Sequence, residues 1–134
     1  MQERTLLMIK PDAVRKKVVG KIITMVEHDF HIVDMKMKRF SREEAEKFYE
    51  VHREKEFFEG LVEFITSGPT VGLLLEGDNV VERVRKLVGS TDPKEAKPGT
   101  VRFLYGSSIR ENAVHASDSP ASAKREIAIF FGAP

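Results

Sequence analysis

The sequence predicts an α+β domain of the ferredoxin-like βαββαβ type: two βαβ halves sharing one four-stranded antiparallel sheet, with helices on one face. Three observations carry that expectation. Short apolar runs of strand character recur at 4–10, 31–40, 70–76 and 127–131. The stretches between them show helical spacing with recognisable starts and stops. The chain has 134 residues, 41% hydrophobic and 32% charged, enough to bury one core without cross-links, and residues 1–134 read as a single domain.

The first run, Arg4 to Lys10, ends at Pro11 and suits a central strand, which leaves Lys10 at the strand's carboxyl end, where α/β layers tend to bind ligands. After Pro11 and Asp12 the pattern is helical through Ile22, Ile23, Val26 and Phe30, with Gly20 its weak point. Residues 31–40 alternate, with Val33, Met35 and Met37 on one face and Asp34, Lys36 and Lys38 on the other, the pattern of a half-exposed strand. Ser41 to Glu44 spells a capping box and opens a helix through Ala45, Phe48 and Tyr49. A second helical piece carries Phe57, Phe58, Leu61, Val62 and Ile65 and stops at Ser67-Gly68-Pro69; the adjacent Phe57 and Phe58 cannot both face the core.

Residues 70–76 read as a buried strand, followed by a helix with Val80, Val84 and Leu87 that Asp78 or Asn79 caps and Gly89 ends. From 90 to 108 turns predominate, and long irregular loops in small domains are often functional. Ser119 and Pro120 form an N-cap and first helical position, residues 121–126 continue the helix, and 127–131 is expected as the last strand. His115 precedes that helix start among small residues, a setting of free backbone N–H groups suited to an anion.

Composition narrows the function. A net charge of +1 and the lack of a basic, aromatic stretch argue against a nucleic-acid partner. Without cysteine there is no thiolate chemistry and no Cys-based zinc site, and the four histidines lack metal-ligand spacing. No signal-peptide pattern and no apolar run near 18 residues occur, so a cytoplasmic protein without a membrane partner is expected.

Five motifs then stand together in order: Ile9-Lys10-Pro11-Asp12, Phe57 to Leu61, Ser67-Gly68-Pro69, Lys97 to Arg102, and Asn112-Ala113-Val114-His115-Ala116-Ser117-Asp118-Ser119. With them the chain resembles the nucleoside diphosphate kinase family over essentially its whole length. The resemblance implies transfer of a γ-phosphoryl group from ATP or another nucleoside triphosphate to a nucleoside diphosphate, in two steps through a phosphohistidine, with broad base tolerance. It makes His115 the nucleophile, with Glu126 and Ser117 holding it. It assigns Lys10, Tyr49, Arg85, Thr91 and Arg102 to phosphate contacts, and Asn112, with Lys10 nearby, to the sugar. Phe57 is expected to stack on the base, bordered by Leu61 and Ile109. Mg2+ is expected as cofactor, held mainly by the nucleotide's phosphates and not by protein side chains. A homo-oligomer, tetramer or hexamer built from dimers, is implied as well. Where the family usually has Gly-Asp-Phe after the arginine, this chain has Phe103-Leu104-Tyr105, which leaves Arg102 and Ile109 the least secure assignments. A non-catalytic nucleotide-binding regulator on the same scaffold is the alternative, and the intact His115, Ser117 and Glu126 set argues against it.

Overall fold

In the computed structural model, which describes residues 2–132, the chain runs β1 (Gln2–Ile9), α1 (Pro11–Arg15), α2 (Val19–Asp29), β2 (His31–Lys38), α3 (Arg42–Phe48), α4 (Phe58–Ile65), β3 (Thr70–Asp78), α5 (Val80–Val88), α6 (Val101–Tyr105), β4 (Val114–Ala116) and α7 (Pro120–Phe131). Single 3-10 turns lie at Glu50–His52 and Pro93–Glu95. The four strands form one sheet in the order β2-β3-β1-β4, every neighbouring pair antiparallel, which is the expected ferredoxin-like topology.

β1 is central because both its faces are apolar. Successive side chains of a strand point to opposite sides, so Leu7 and Ile9 enter one core while Leu6 and Met8 enter another. The first core packs α2 and α5 on the sheet through Ile22, Val26, Val80, Val84 and Val88. The second packs α3, α4 and α7 through Ala45, Phe48, Val62, Ile65 and Phe130. Helices therefore cover both faces of the sheet, where the sequence led us to expect one.

The second layer exists because residues 127–131, expected as the last strand, are helical. They complete α7, which Ser119 caps by accepting a hydrogen bond from the Ser122 N–H at 3.1 Å, with Pro120 at its first position. Ala123, Glu126 and Phe130 are buried at the spacing of one helical face. Ile127, Ile129 and Phe131 pack along the flank of the same core, so the run is apolar on all sides and its period cannot separate strand from helix. The fourth strand is instead β4, three residues with His115 at its middle, opposite Met8.

Two smaller departures bear on the site. The helix expected from 11 to 30 breaks at Lys17, whose φ is +62°, ahead of the suspected Gly20. The 90–108 segment contains α6, whose N-cap Thr100 accepts from the Phe103 N–H at 3.3 Å. On the opposite side, β2 carries a bulge between Ile32 and Asp34 and leaves Val33, Met35 and Met37 exposed.

Candidate active site

Lys10 follows the last residue of β1 directly, and its backbone N–H donates to Ala113 O at 2.9 Å, which fixes it against the approach to β4. The ammonium is almost wholly buried and donates to Asn112 Oδ1 at 2.9 Å and to Arg110 O at 2.7 Å. Burial lowers its pKa to about 8; Asp12 opposes that shift, while Arg102 and Arg110 add to it. Asp12 is buried too, and its Oδ2 accepts from the N–H of Ala113, whose φ is +75°. The Lys-Pro-Asp motif thus pins the residue beside Asn112 in left-handed backbone. Asn112 in turn donates from Nδ2 to Thr91 O at 3.0 Å.

Arg102 is buried from α6 and donates to two backbone carbonyls, Gly89 O and Val114 O, each at 2.9 Å, while its Nε has no hydrogen-bond partner among the described residues. Burial and the neighbouring Arg85 push its pKa down to about 10. Arg85, exposed on the last turn of α5, makes one long contact of 3.4 Å to Ala116 O. Lys10, Arg85 and Arg102 are thereby drawn together, and among the described residues none of the three forms an ion pair with a carboxylate, although Asp12 lies near Lys10 and Asp118 near Arg85; the arrangement attracts a polyanion.

His115 sits beside these cations, three-quarters buried rather than in an open loop: its side chain is 25% exposed and meets the Phe48 ring edge-on at 5.1 Å. Its Nε2 lies 2.8 Å from Glu126 Oε1, the same oxygen that accepts from Ser117 Oγ at 2.7 Å. Burial raises the Glu126 pKa, but the hydrogen bonds from His115 and Ser117 and the adjacent charges outweigh it, so the carboxyl lies below its usual value. An ionised carboxylate only accepts, so the proton of the neutral ring belongs on Nε2, and the Nδ1 lone pair is left free. Among the described residues Nδ1 has no hydrogen-bond partner.

These groups open onto one pocket of about 670 Å³. Lys10, Tyr49, Phe57, Leu61, Arg85, Thr91, Arg102, Ile109, Asn112, His115 and Glu126 all line it. Ser117 alone of the expected residues does not, since it stands behind Glu126. Arg102 and Ile109 are both in that lining, and in the altered Phe103-Leu104-Tyr105 stretch Phe103 and Leu104 of α6 are exposed. Of the two adjacent phenylalanines, Phe57 is 46% exposed and Phe58 is 7% exposed, which settles which ring faces the pocket. Tyr49 is buried, and desolvation with the Glu126 charge raises its phenol pKa.

The wall also contains residues that the motifs did not point to, Phe48, Val51, His52, Arg110, Ser122 and Arg125, and Asp118 of the last motif, which the resemblance gives no role. The His52 ring lies 5.3 Å from that of Phe57 and tilted to it by 56°, and burial together with Lys55 lowers its pKa. Only its place one helical turn from Tyr49 could have flagged it in the sequence.

A family model described as nucleoside diphosphate kinase matches residues 3–134. The chain belongs to the nucleoside diphosphate kinase family. A nucleoside diphosphate kinase of Nitratiruptor sp. is 55% identical over 96% of this chain and 95% of its own length. One from Saccharolobus solfataricus is 51% identical over 96% and 94%. Among solved structures, the nucleoside diphosphate kinase of Aquifex aeolicus superposes with a TM-score of 0.94 at 47% identity, covering 98% of this chain and 96% of that one. A halophilic nucleoside diphosphate kinase from Halobacterium salinarum, solved in complex with CDP, gives 0.94 at 41% identity, with 99% and 90% covered. Like these relatives the chain is a phosphotransferase acting on nucleotides. No helix among the described residues is long and apolar enough to cross a membrane.

Proposed function

We propose that this chain passes the γ-phosphoryl group of a nucleoside triphosphate to a nucleoside diphosphate through His115. One observation carries the reading: His115 Nε2 lies 2.8 Å from Glu126 Oε1, an acceptor that favours the ring proton on Nε2 and leaves Nδ1 as the nucleophile in a pocket with Lys10, Arg85 and Arg102. In the first step the Nδ1 lone pair attacks the γ-phosphorus, and the bond to the β-phosphate oxygen breaks. In the second, a β-phosphate oxygen of the acceptor attacks the same phosphorus and the P–N bond breaks. The ring gains positive character as the P–N bond forms, and Glu126, held by Ser117, stabilises it. Arg85, Arg102 and Thr91, with Tyr49, hold the phosphates. Lys10 and Asn112, bonded to one another, hold the sugar hydroxyls. Phe57, with Leu61 and Ile109, takes the base by stacking, which any base satisfies.

Magnesium fits this donor set as the nucleotide's own ion. The lining offers two carboxylates, Asp118 and Glu126, and the latter is already committed to His115 and Ser117. The phosphate oxygens would hold the metal, and it would supply neutralisation of the charge on the transferring group. We further assign residues 1–134 to one cytoplasmic domain that assembles into a tetramer or hexamer through dimers.

The test is initial-rate kinetics with ATP as donor and a nucleoside diphosphate as acceptor. A two-step mechanism predicts parallel double-reciprocal lines as the second substrate is varied. Intersecting lines would mean direct transfer between two bound nucleotides and would overturn the reading.

A further inference from the structure

On the pocket wall Arg110 follows Ile109 in the chain, and its backbone carbonyl shares the Lys10 ammonium with Asn112. Its guanidinium lies against α4 at Gly60. A methyl group placed there would stand 2.8 Å from the Arg110 Cζ and 3.0 Å from Nη1, and closer still to Nη2, so the glycine is what lets the side chain settle. Gly60 is one turn beyond Phe57 and adjacent to Leu61, the residues expected to meet the base. The backbone carbonyl of Arg110 is used by Lys10, but its guanidinium has no hydrogen-bond or ion-pair partner among the described residues. A five-donor fork, held in position and unpaired, therefore borders the base end of the pocket.

We infer that Arg110, seated on Gly60, donates to the edge of the bound base and favours one presenting two adjacent acceptors, as guanine does with O6 and N7. Adenine offers N7 beside a donor amino group, which opposes a fork that can only donate. Stacking on Phe57 still admits every base, so the edge contact adds a bias to a tolerant pocket. This inference rests on the proposed phosphotransfer and names a determinant of its acceptor preference.

The experiment compares kcat/KM for GDP, IDP, ADP and the diphosphate of 7-deazaguanosine, in the unaltered chain, Arg110→Met and Gly60→Ala. IDP retains O6 and N7 without the 2-amino group, and the deaza compound loses N7 alone. The unaltered chain should prefer GDP and IDP over ADP by about tenfold, with the deaza analogue falling toward ADP; the exposed setting places this at the low end for a bidentate pair. Arg110→Met should bring the GDP to ADP ratio to about the twofold that stacking supplies. Gly60→Ala keeps the charge and favours the helix, yet should lower the ratio too, because the new methyl group displaces the guanidinium. An unchanged ratio in Arg110→Met would overturn the inference, and so would an equal loss for all four acceptors, which would put the guanidinium on phosphate. Transfer to none of the acceptors by the unaltered chain would instead refute the phosphotransfer reading itself.

Discussion

Glu126 holds its position by accepting two hydrogen bonds on one oxygen, from a ring nitrogen and a hydroxyl. Glu126→Gln preserves the shape but substitutes an amide that can donate as well as accept, so Nε2 need no longer carry the proton. A hydrogen bond to a charged group contributes about 1.5–3 kcal/mol, and kcat/KM should fall about 10- to 100-fold. An unchanged value in steady-state assays would show that the carboxylate does not orient His115. Lys10 gives a second prediction at this scale. With its pKa near 8 in the free protein, the cation offered to the nucleotide is lost as pH rises through that value, and kcat/KM should decline on the alkaline side with a midpoint near 8. A profile flat to about pH 10, the ordinary lysine range, would contradict it. The effect on folding has the opposite sign. Between about 8 and the unfolded value of 10.5, the unfolded chain binds more protons at this position, so Lys10's contribution to stability increases with pH.

Among the elements, α7 departs furthest from what its residues suggest, and its placement can be checked apart from catalysis. The Phe130 ring lies on β3 at Gly72, where an added Cβ would sit 2.6 Å from Cδ1 and 2.7 Å from Cζ of a fully buried ring. Gly72→Ala should therefore destabilise the chain by about 1–3 kcal/mol through overpacking, measured by urea denaturation. A neutral result would mean that residues 127–131 do not lie across the sheet as a helix. The ends of most elements were legible: the capping box of α3, the stop at Ser67 to Pro69 and the Ser119 cap all rest on local chemistry that needs no tertiary partner. What escaped depends on packing. β4 is three residues long and becomes a strand only because β1 offers it an edge. Ile127 to Phe131 becomes helical because a second core lies on the sheet's other face. The site was legible where motifs carry it, as at Lys10, Asn112 and His115. It was not legible at Arg110, whose relevance comes from a glycine fifty residues earlier in the chain.

For the whole molecule, the fold sets a double-sided core on β1 and gathers the pocket at one end of the central strands, with β2 on the outside of the sheet. Met35 and Met37 stand 56% and 61% exposed on that edge strand. An uncovered apolar edge is a hazard for an isolated chain, which supports the proposed oligomer. Light scattering at micromolar concentration should give a mass well above one chain, and Met37→Asp should shift it downward; a monomeric mass for the unaltered chain would contradict the assembly. The central claim, that phosphate passes through the histidine of β4, is tested most directly by covalent labelling. Incubation with γ-labelled ATP should leave one phosphoryl group per chain, labile in acid, stable in alkali and discharged by any nucleoside diphosphate, and His115→Ala should take up none. Label retained by His115→Ala, or label that no nucleoside diphosphate removes, would contradict it.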